Sequence, residues 1–374
     1  MSKSWALRSR SHIFDRIFFT LPRYLERWCT EIPLTTDGPS KYVRSLYFST
    51  GTIPFVNEPQ ALDPYLAHFS ALTRVRDLTL VGYRDEVQWD MVFQCFSGFK
   101  NNLLQLQLKC NLFGFNEISR MIEFFPNIQV FCLWGPGPPK LHENGPSQPP
   151  RQASFPGLTD LHLHMDAPNP LYENHIFSGF AKASMPNLEA LGITGKFADP
   201  TVAQELLDST AQTVRYLGLT LLGKPRLRFL TQTALTINPS SRSDLDLSSC
   251  RHIEELQVHD LVYHYTHFKV HDSLDKPIFN RMLSTLTAPI LRAIIIPIIS
   301  KGWIDLEMED YLPDNDWADV DLWLGEFLAR HRLTLGSPSW TFVVRIVSSR
   351  RMTNTRLALP IFSGMGGRMV FLNK

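Results

Sequence analysis

The pattern of hydrophobic and polar positions repeats along this chain. A six-residue pattern, apolar-x-x-apolar-x-apolar, occurs nine times at intervals of 25 to 39 residues. In each copy the second and third apolar positions alternate with polar ones, the two-residue period of a half-buried strand. The nine copies begin at Val43, Val75, Leu103, Ile128, Leu158, Leu188, Val214, Ile253 and Leu291. A period in this range predicts one supersecondary unit that is copied and stacked.

Stretches with the apolar spacing of a helix lie between several of the predicted strands. They fall within residues 62–69, 91–96, 118–125 and 202–207, and each places an apolar stripe on one helix face. The tripeptides at 125–127, 155–157 and 185–187 each consist of an apolar residue, Pro, and Asn or Gly. Proline ends a helix and Asn or Gly favours a turn, so these tripeptides predict the passage from helix to strand.

This strand–helix unit resembles the leucine-rich repeat, whose strand pattern is L-x-x-L-x-L-x-x-N/C-x-L. The best match is Leu103, Leu106, Leu108, Asn111 and Phe113. The other copies lack Asn or Cys at the ninth position, so we expect degenerate repeats without the internal asparagine ladder. The resemblance implies an α/β solenoid of strand–helix repeats with a parallel sheet on its concave face.

The N-terminus carries a second resemblance. Residues 4–17, SWALRSRSHIFDRI, are similar to the end of the F-box in large fungal families that join this motif to a leucine-rich region. The matching residues are Trp5, Arg8, Arg10, His12 and Phe14. We therefore predict an F-box remnant and linker helices at 1–40, a leucine-rich-repeat-like solenoid at 41–299 with a Pro-rich loop at 134–150, and a C-terminal cap at 300–374.

The resemblance leaves two interpretations of the function open. In F-box proteins the first half of the motif contacts the Skp-type adaptor of a cullin–RING ubiquitin ligase, and here Met1 falls where that half would end. In the first interpretation the protein is a non-catalytic protein–protein interaction module that recognises an unidentified protein partner with its substrate-recognition array. In the second it is a full substrate receptor of a Skp–cullin–F-box ligase whose true start lies upstream, and the Skp-type adaptor is then a partner.

Composition and charge exclude several other classes. The formal net charge is +1, so no basic field indicates nucleic-acid binding. The longest apolar stretch, residues 286–299, contains Arg292 and two prolines and is too short to span a membrane. Five cysteines form no CxxC pair, which favours reduced thiols in a cytoplasmic or nuclear protein.

The polar residues that alternate with the buried strand positions are the candidate partner-binding residues. A set that mixes aromatic, basic and amide side chains suits a protein interface, where aromatic anchors carry most of the energy. They are Tyr47, Asp77, Gln105, Gln107, Lys109, Trp134, Asp160, His162, His164, Tyr216, Glu255, Gln257 and His259.

Catalytic and metal motifs are not found. The sequence has no G-x-S-x-G elbow, and the glycines at 364–367 lack the Lys-Ser/Thr of a phosphate loop. His264 and His267 have a spacing that suits zinc on a helix, but their β-branched and aromatic neighbours favour an extended chain, which points the rings apart. We expect no catalytic residues, no metal and no cofactor.

Overall fold

The chain folds into two compact units, Met1–Leu188 and Glu189–Lys374, and each is described by itself. In the first unit parallel strands alternate with helices, and in the second the structure describes parallel strands with one helix between the first two. The computed structural model describes residues 9, 12–32, 34–35, 38–49, 63–82, 89–110, 114–136, 149–166, 170–195, 200–221, 245–258, 265–266, 269–270, 285–298, 322, 325–326, 329, 343–348 and 368–373.

In the first unit, six strands form a parallel sheet in chain order. The strands are β1 (Arg16–Phe19), β2 (Ser45–Ser49), β3 (Asp77–Gly82), β4 (Gln105–Cys110), β5 (Val130–Pro136) and β6 (Asp160–Asp166). The helices are α1 (Pro22–Glu31), α2 (Asp63–Ser70), α3 (Trp89–Phe96), α4 (Phe115–Phe124) and α5 (Pro170–Lys182). Short 3-10 turns lie at Pro39–Tyr42 and Ser97–Phe99.

In the second unit, six described strands are again parallel neighbours. They are β7 (Ala190–Gly195), β8 (Tyr216–Leu221), β9 (Glu255–Val258), β12 (Ala293–Ile298), β13 (Val343–Ser348) and β14 (Arg368–Asn373), with helix α6 (Pro200–Thr210) between β7 and β8. A small antiparallel pair joins β10 (Tyr265–Thr266) to β11 (Lys269–Val270). The extended strand β10 lies between His264 and His267, which are themselves outside the described residues.

The parallel α/β architecture predicted from the hydrophobic pattern is confirmed. All nine predicted strands are present, and each starts two residues after the first residue of its hexamer. The structure adds β1, inside the predicted remnant at 1–40, and α5, which the sequence analysis did not include. It also extends the parallel sheet by β13 and β14 within the predicted cap, and it places Trp134–Pro136 at the end of β5 and not in the Pro-rich loop. Most residues that carry the F-box resemblance lie outside the described ones.

The core of the first unit is built largely from phenylalanine. One face of the sheet packs against the helices, and Phe48 on β2 meets Phe69 of α2 and Phe96 of α3 edge-to-face at 5.7 and 5.6 Å between ring centroids. Phe131 on β5 meets Phe180 of α5 at 5.9 Å. Rings at these separations stabilise one another by about 0.5–1.5 kcal/mol beyond their area burial. The helices are thereby fixed to one side of the sheet.

At the start of eight described strands, β2 to β6, β8, β9 and β12, one backbone carbonyl accepts two consecutive N–H groups. The carbonyl of Arg76 accepts from Leu104 and Gln105 at 2.8 and 2.9 Å, and the carbonyl of Leu104 accepts from the next strand in the same way. The same arrangement occurs at Asp15, Arg44 and Gln129 in the first unit and at Glu189, Arg215 and Glu254 in the second. Every strand joined in this way begins at the same level as its neighbour.

Asparagines in the turns before the strands form a second ladder in the first unit. Asn102, Asn127 and Asn187 each donate Nδ2–H to a backbone carbonyl of the preceding turn, at 2.7 Å in every case. At the equivalent Gly157, a Cβ atom would lie 3.1 Å from the carbonyl oxygen of Ile128, so a side chain there would crowd this carbonyl. These asparagines lie in the turns before the strands. They do not lie at the ninth position of the leucine-rich-repeat pattern, where the sequence predicts no asparagine ladder.

Amide side chains on two helices bind the main chain of the segments that precede β6 and β9. In the first unit Asn116 on α4 donates to the carbonyl of Pro149 at 3.3 Å and accepts the N–H of Arg151 at 2.9 Å. In the second unit Gln204 on α6 donates to the carbonyl of Asp246 and accepts its N–H, at 2.9 and 2.8 Å. We call these two arrangements the amide clamps.

Asn127→Ala tests the turn ladder. The substitution removes a side chain to main chain hydrogen bond, so we expect a loss of about 0.5–1.5 kcal/mol in the free energy of unfolding, measured in urea. Asn101→Ala is the matched control, because Asn101 contributes only its backbone carbonyl to this bond and alanine keeps that carbonyl. Equal losses in the two variants would show that the ladder does not stabilise the unit.

Gly179→Ala tests the packing of α5. A Cβ atom at residue 179 would overlap the ring of Phe115. Alanine favours a helix by about 1 kcal/mol over glycine, yet we expect overpacking to dominate and to destabilise the protein by about 1–3 kcal/mol. Gly218→Ala is the control, since the nearest atom to its Cβ is 3.6 Å away. A gain of stability in Gly179→Ala would contradict this packing.

Candidate functional site

The face of the sheet opposite the helices in the first unit carries nine of the predicted binding residues. We call it the open face, and parallel pairing aligns its side chains in three rows across the strands. The first row is Arg16, Ser45, Asp77, Gln105, Val130 and Asp160. The second row is Phe18, Tyr47, Thr79, Gln107, Cys132 and His162. The third row is Ser49, Val81, Lys109, Trp134 and His164.

The remaining predicted residues belong to the second unit or lie outside the description. Tyr216 on β8 pairs with Glu255 on β9, and Gln257 pairs with Gly218 one row along. Tyr216 is 43% exposed, whereas Glu255 and Gln257 are half-buried. His259 lies outside the described residues.

Trp134 has the largest side chain of the third row. Its ring stacks on that of His164 from β6 at 3.9 Å between centroids and 17° between planes. From the other flanking strand, β4, the Nζ atom of Lys109 lies over the indole at 5.8 Å from its centroid. His164 therefore covers one face of the indole and the ammonium group of Lys109 lies near the ring, while 43% of the Trp134 surface stays exposed.

The second row contains a buried cysteine, Cys132. Cys132 lies between Gln107 and His162 in the register and is 8% exposed. Burial raises the pKa of its thiol to about 11, with a smaller contribution from the negative charge of Asp160. The thiol is therefore protonated at neutral pH, and a buried neutral thiol is a poor nucleophile.

Two acidic side chains of the open face, Asp77 and Asp160, lie in the first row. Burial raises the pKa of Asp77 from its usual value, and the nearby Arg16 opposes the shift. Asp160 accepts a hydrogen bond from the hydroxyl of Thr159 at 2.6 Å. Four residues separate the first row from the third along each strand, which corresponds to about 13 Å. The first row thus carries Arg16 and two carboxylates, and the third row carries Lys109.

Phe18 is a prominent residue of this face that the hexamer pattern does not predict. Phe18 is 58% exposed and its ring lies 5.6 Å from that of Tyr47. It was missed because β1 lies outside the repeated hexamers. The alternation of Ile17 and Phe19 with Arg16 and Phe18 is the sequence signal that indicates this strand.

His162→Gln tests the electrostatics of the second row. Burial lowers the pKa of His162 from its usual 6.5, although Asp160 opposes the shift. The unfolded chain therefore binds a proton at higher pH than the folded protein, so stability falls as the pH drops through 6.5 towards the folded value. We expect wild type to lose stability between pH 7.5 and 5.5 and the variant to lose less.

Urea unfolding at the two pH values measures this difference. His12→Gln is the control, because His12 is exposed. His68 and His175 also have pKa values lowered by burial, so part of the pH dependence remains in the His162 variant. A pH dependence identical to that of wild type would contradict the placement of His162.

Within the part of the chain that the structure describes, no three His, Cys, Asp or Glu side chains are grouped so that they hold a metal ion. Among the same residues no helix has both the length and the apolar character needed to cross a membrane. Compared with known proteins, the sequence matches no family model and no curated protein.

Proposed function

We propose that this chain is a leucine-rich-repeat-like solenoid and that the open face of its first unit binds a protein partner. The single observation that carries the proposal is Trp134, an exposed indole on the open face that stacks on His164 and has the ammonium group of Lys109 near its ring. A rigid aromatic side chain loses little conformational freedom when a partner covers it, and tryptophan is enriched among the residues that dominate binding energy.

Recurring backbone contacts support the repeat architecture. The shared carbonyl recurs at the start of strands in both units, and the asparagine rungs recur in successive turns of the first. Such contacts suit a stacked array, because each repeat satisfies its polar groups on its neighbours and not within itself. Rows of side chains on one sheet face, such as those of the open face, are the kind of surface that such arrays use for binding.

The chemistry of the open face favours binding over catalysis. The Cys132 thiol is buried and protonated, and burial favours the neutral form of His162. A nucleophile needs a base within hydrogen-bond reach and a lowered pKa, whereas the pKa of Cys132 is raised. The aromatic and amide side chains around these residues instead suit contact with another protein.

A ubiquitin-ligase receptor is a second candidate, which the N-terminal resemblance and one structural observation favour. Phe18 on the strand β1, Ile13 before this strand and Leu21 after it are exposed apolar side chains. Such a group marks a surface that another module covers. Co-expression with a Skp-type adaptor tests this candidate, and failure of the two proteins to co-purify under conditions that retain an intact F-box protein would contradict it.

Trp134→Ala tests the binding proposal. Proteins captured from cell extract by wild type are identified, and the affinity of the purified partner is then measured for each variant. We expect Trp134→Ala to weaken binding by about 30-fold or more, as for a dominant interface residue, with little change in thermal unfolding. The control is Tyr24→Ala, which removes an exposed aromatic ring from α1. Equal affinities for all three proteins would place the binding site elsewhere.

A further inference from the structure

We propose that the first strand and helix, β1 and α1, open from the rest of the first unit when the pH falls, and that protonation of His68 drives this opening. We call β1 and α1 the terminal pair. The proposal describes a pH-sensitive device within the fold, so it does not depend on what the open face binds. It follows from the position of the terminal pair in the sheet and from the surroundings of His68.

The terminal pair lies at the end of the sheet. Among the strands that the structure describes, β1 is the last on this side and pairs with β2 alone, through four residue pairs. Helix α1 packs on β1 and on α2. Proteins open locally where the fewest buried contacts must be broken, and the end of a parallel array is such a place. Opening of the terminal pair leaves β2 and the later strands paired with one another.

Aromatic rings hold the terminal pair closed. Phe19 of β1 meets Phe48 of β2 and Phe69 of α2 at 6.4 and 6.2 Å between ring centroids. Trp28 of α1 meets Phe19 at 6.0 Å. Opening exposes these buried rings to water, so the open state is rare at neutral pH.

Two buried polar atoms oppose these apolar contacts. Nε1 of Trp28 in α1 and Nδ1 of His68 in α2 form no hydrogen bond to another group of the protein. A buried polar atom without a protein partner has lost hydrogen bonds to bulk water that it regains when the structure opens. Both atoms therefore favour the open state.

His68 lies on the face of α2 that is turned toward the terminal pair. It is 9% exposed, and it lies three residues after Tyr65 and next to Phe69. Phe69 meets Phe19 of β1, and the negative charge of Glu26 in α1 contributes to the raised pKa of Tyr65. Residues three and four apart share one helix face, so Tyr65, His68 and Phe69 belong to the same stripe. Opening of the terminal pair therefore exposes His68.

The elements packed against α2 bring few ionisable groups to His68. The strands beneath it turn apolar side chains toward the helices. The thiols of Cys29 in α1 and Cys95 in α3 are neutral between pH 5.5 and 7.5, because burial raises their pKa to about 11 and about 12. Glu31 of α1 is exposed and pairs with Arg27. The other carboxylic acids of the three helices are Glu26, Asp63 and Asp90, and the side chains of the last two lie outside the described residues.

Burial of His68 makes the opening depend on pH. It lowers the pKa of this ring from the usual 6.5, and the pKa returns toward 6.5 when the ring reaches water. The open state therefore binds a proton at higher pH than the closed state, so opening becomes more favourable as the pH falls through 6.5. From the protonated fraction of an exposed ring, the opening equilibrium constant rises by at most about tenfold between pH 7.5 and 5.5.

Hydrogen exchange of the full chain at pH 7.5 and 5.5 tests the proposal. Backbone protection is measured by mass spectrometry and corrected for the pH dependence of chemical exchange. We expect peptides from β1 and α1 to be less protected than those from β4 and α4, and their opening constant to rise severalfold at pH 5.5. Equal protection in the two regions at pH 5.5, or an opening constant of the terminal pair that does not change with pH, would overturn the proposal.

His68→Gln tests whether His68 drives the opening. Glutamine keeps a polar side chain but binds no proton in this range, so the rise in the opening constant of the terminal pair should disappear. His175→Gln is the matched control, because the pKa of His175 is also lowered by burial but this residue lies on α5, and this variant should keep the rise. If His68→Gln does not fold, His68→Leu replaces it. A rise that persists without His68 would assign the pH dependence to another group and contradict the proposal.

Discussion

The structure depends on one repeated interaction, the backbone carbonyl that accepts two consecutive N–H groups at the start of the next strand. Since Arg76 and its equivalents perform this role through the main chain, the identity of the side chain matters little there. Asp, Arg, Leu, Gln and Glu all occupy the position. The bond sets neighbouring strands at a common level, so residues of equal parity fall into rows. A buried face and an open face then follow from simple alternation.

The open face acquires its character from neighbours in a row. Trp134 is exposed, yet its ring is held by side chains that come from two other strands. An anchor that is already fixed loses little freedom when a partner covers it, which favours affinity. Cys132, one row away, is buried. The same sheet face therefore contains both an exposed aromatic side chain and a buried thiol.

The strands and the membership of the open face are predictable from sequence because alternation is a local signal. The nine hexamers give β2 to β9 and β12, and parity places Lys109, Trp134 and His164 on one side. β1 is not predicted, because it lies outside the hexamers and its four residues show the alternation of apolar and polar positions only twice. Asn127 is assigned only a turn propensity, since its acceptor lies 26 residues away and no local pattern indicates it. The burial of Cys132 likewise depends on side chains from adjacent strands.

The amide clamps of Asn116 and Gln204 give the array a property that its strands alone do not provide. Each clamp holds the returning chain by two hydrogen bonds to the main chain, so it is indifferent to what precedes the clamped residues. A change of side chain at Pro149, Arg151 or Asp246 therefore leaves these bonds available, so each clamp constrains the path of the main chain but not the sequence at the positions that it holds.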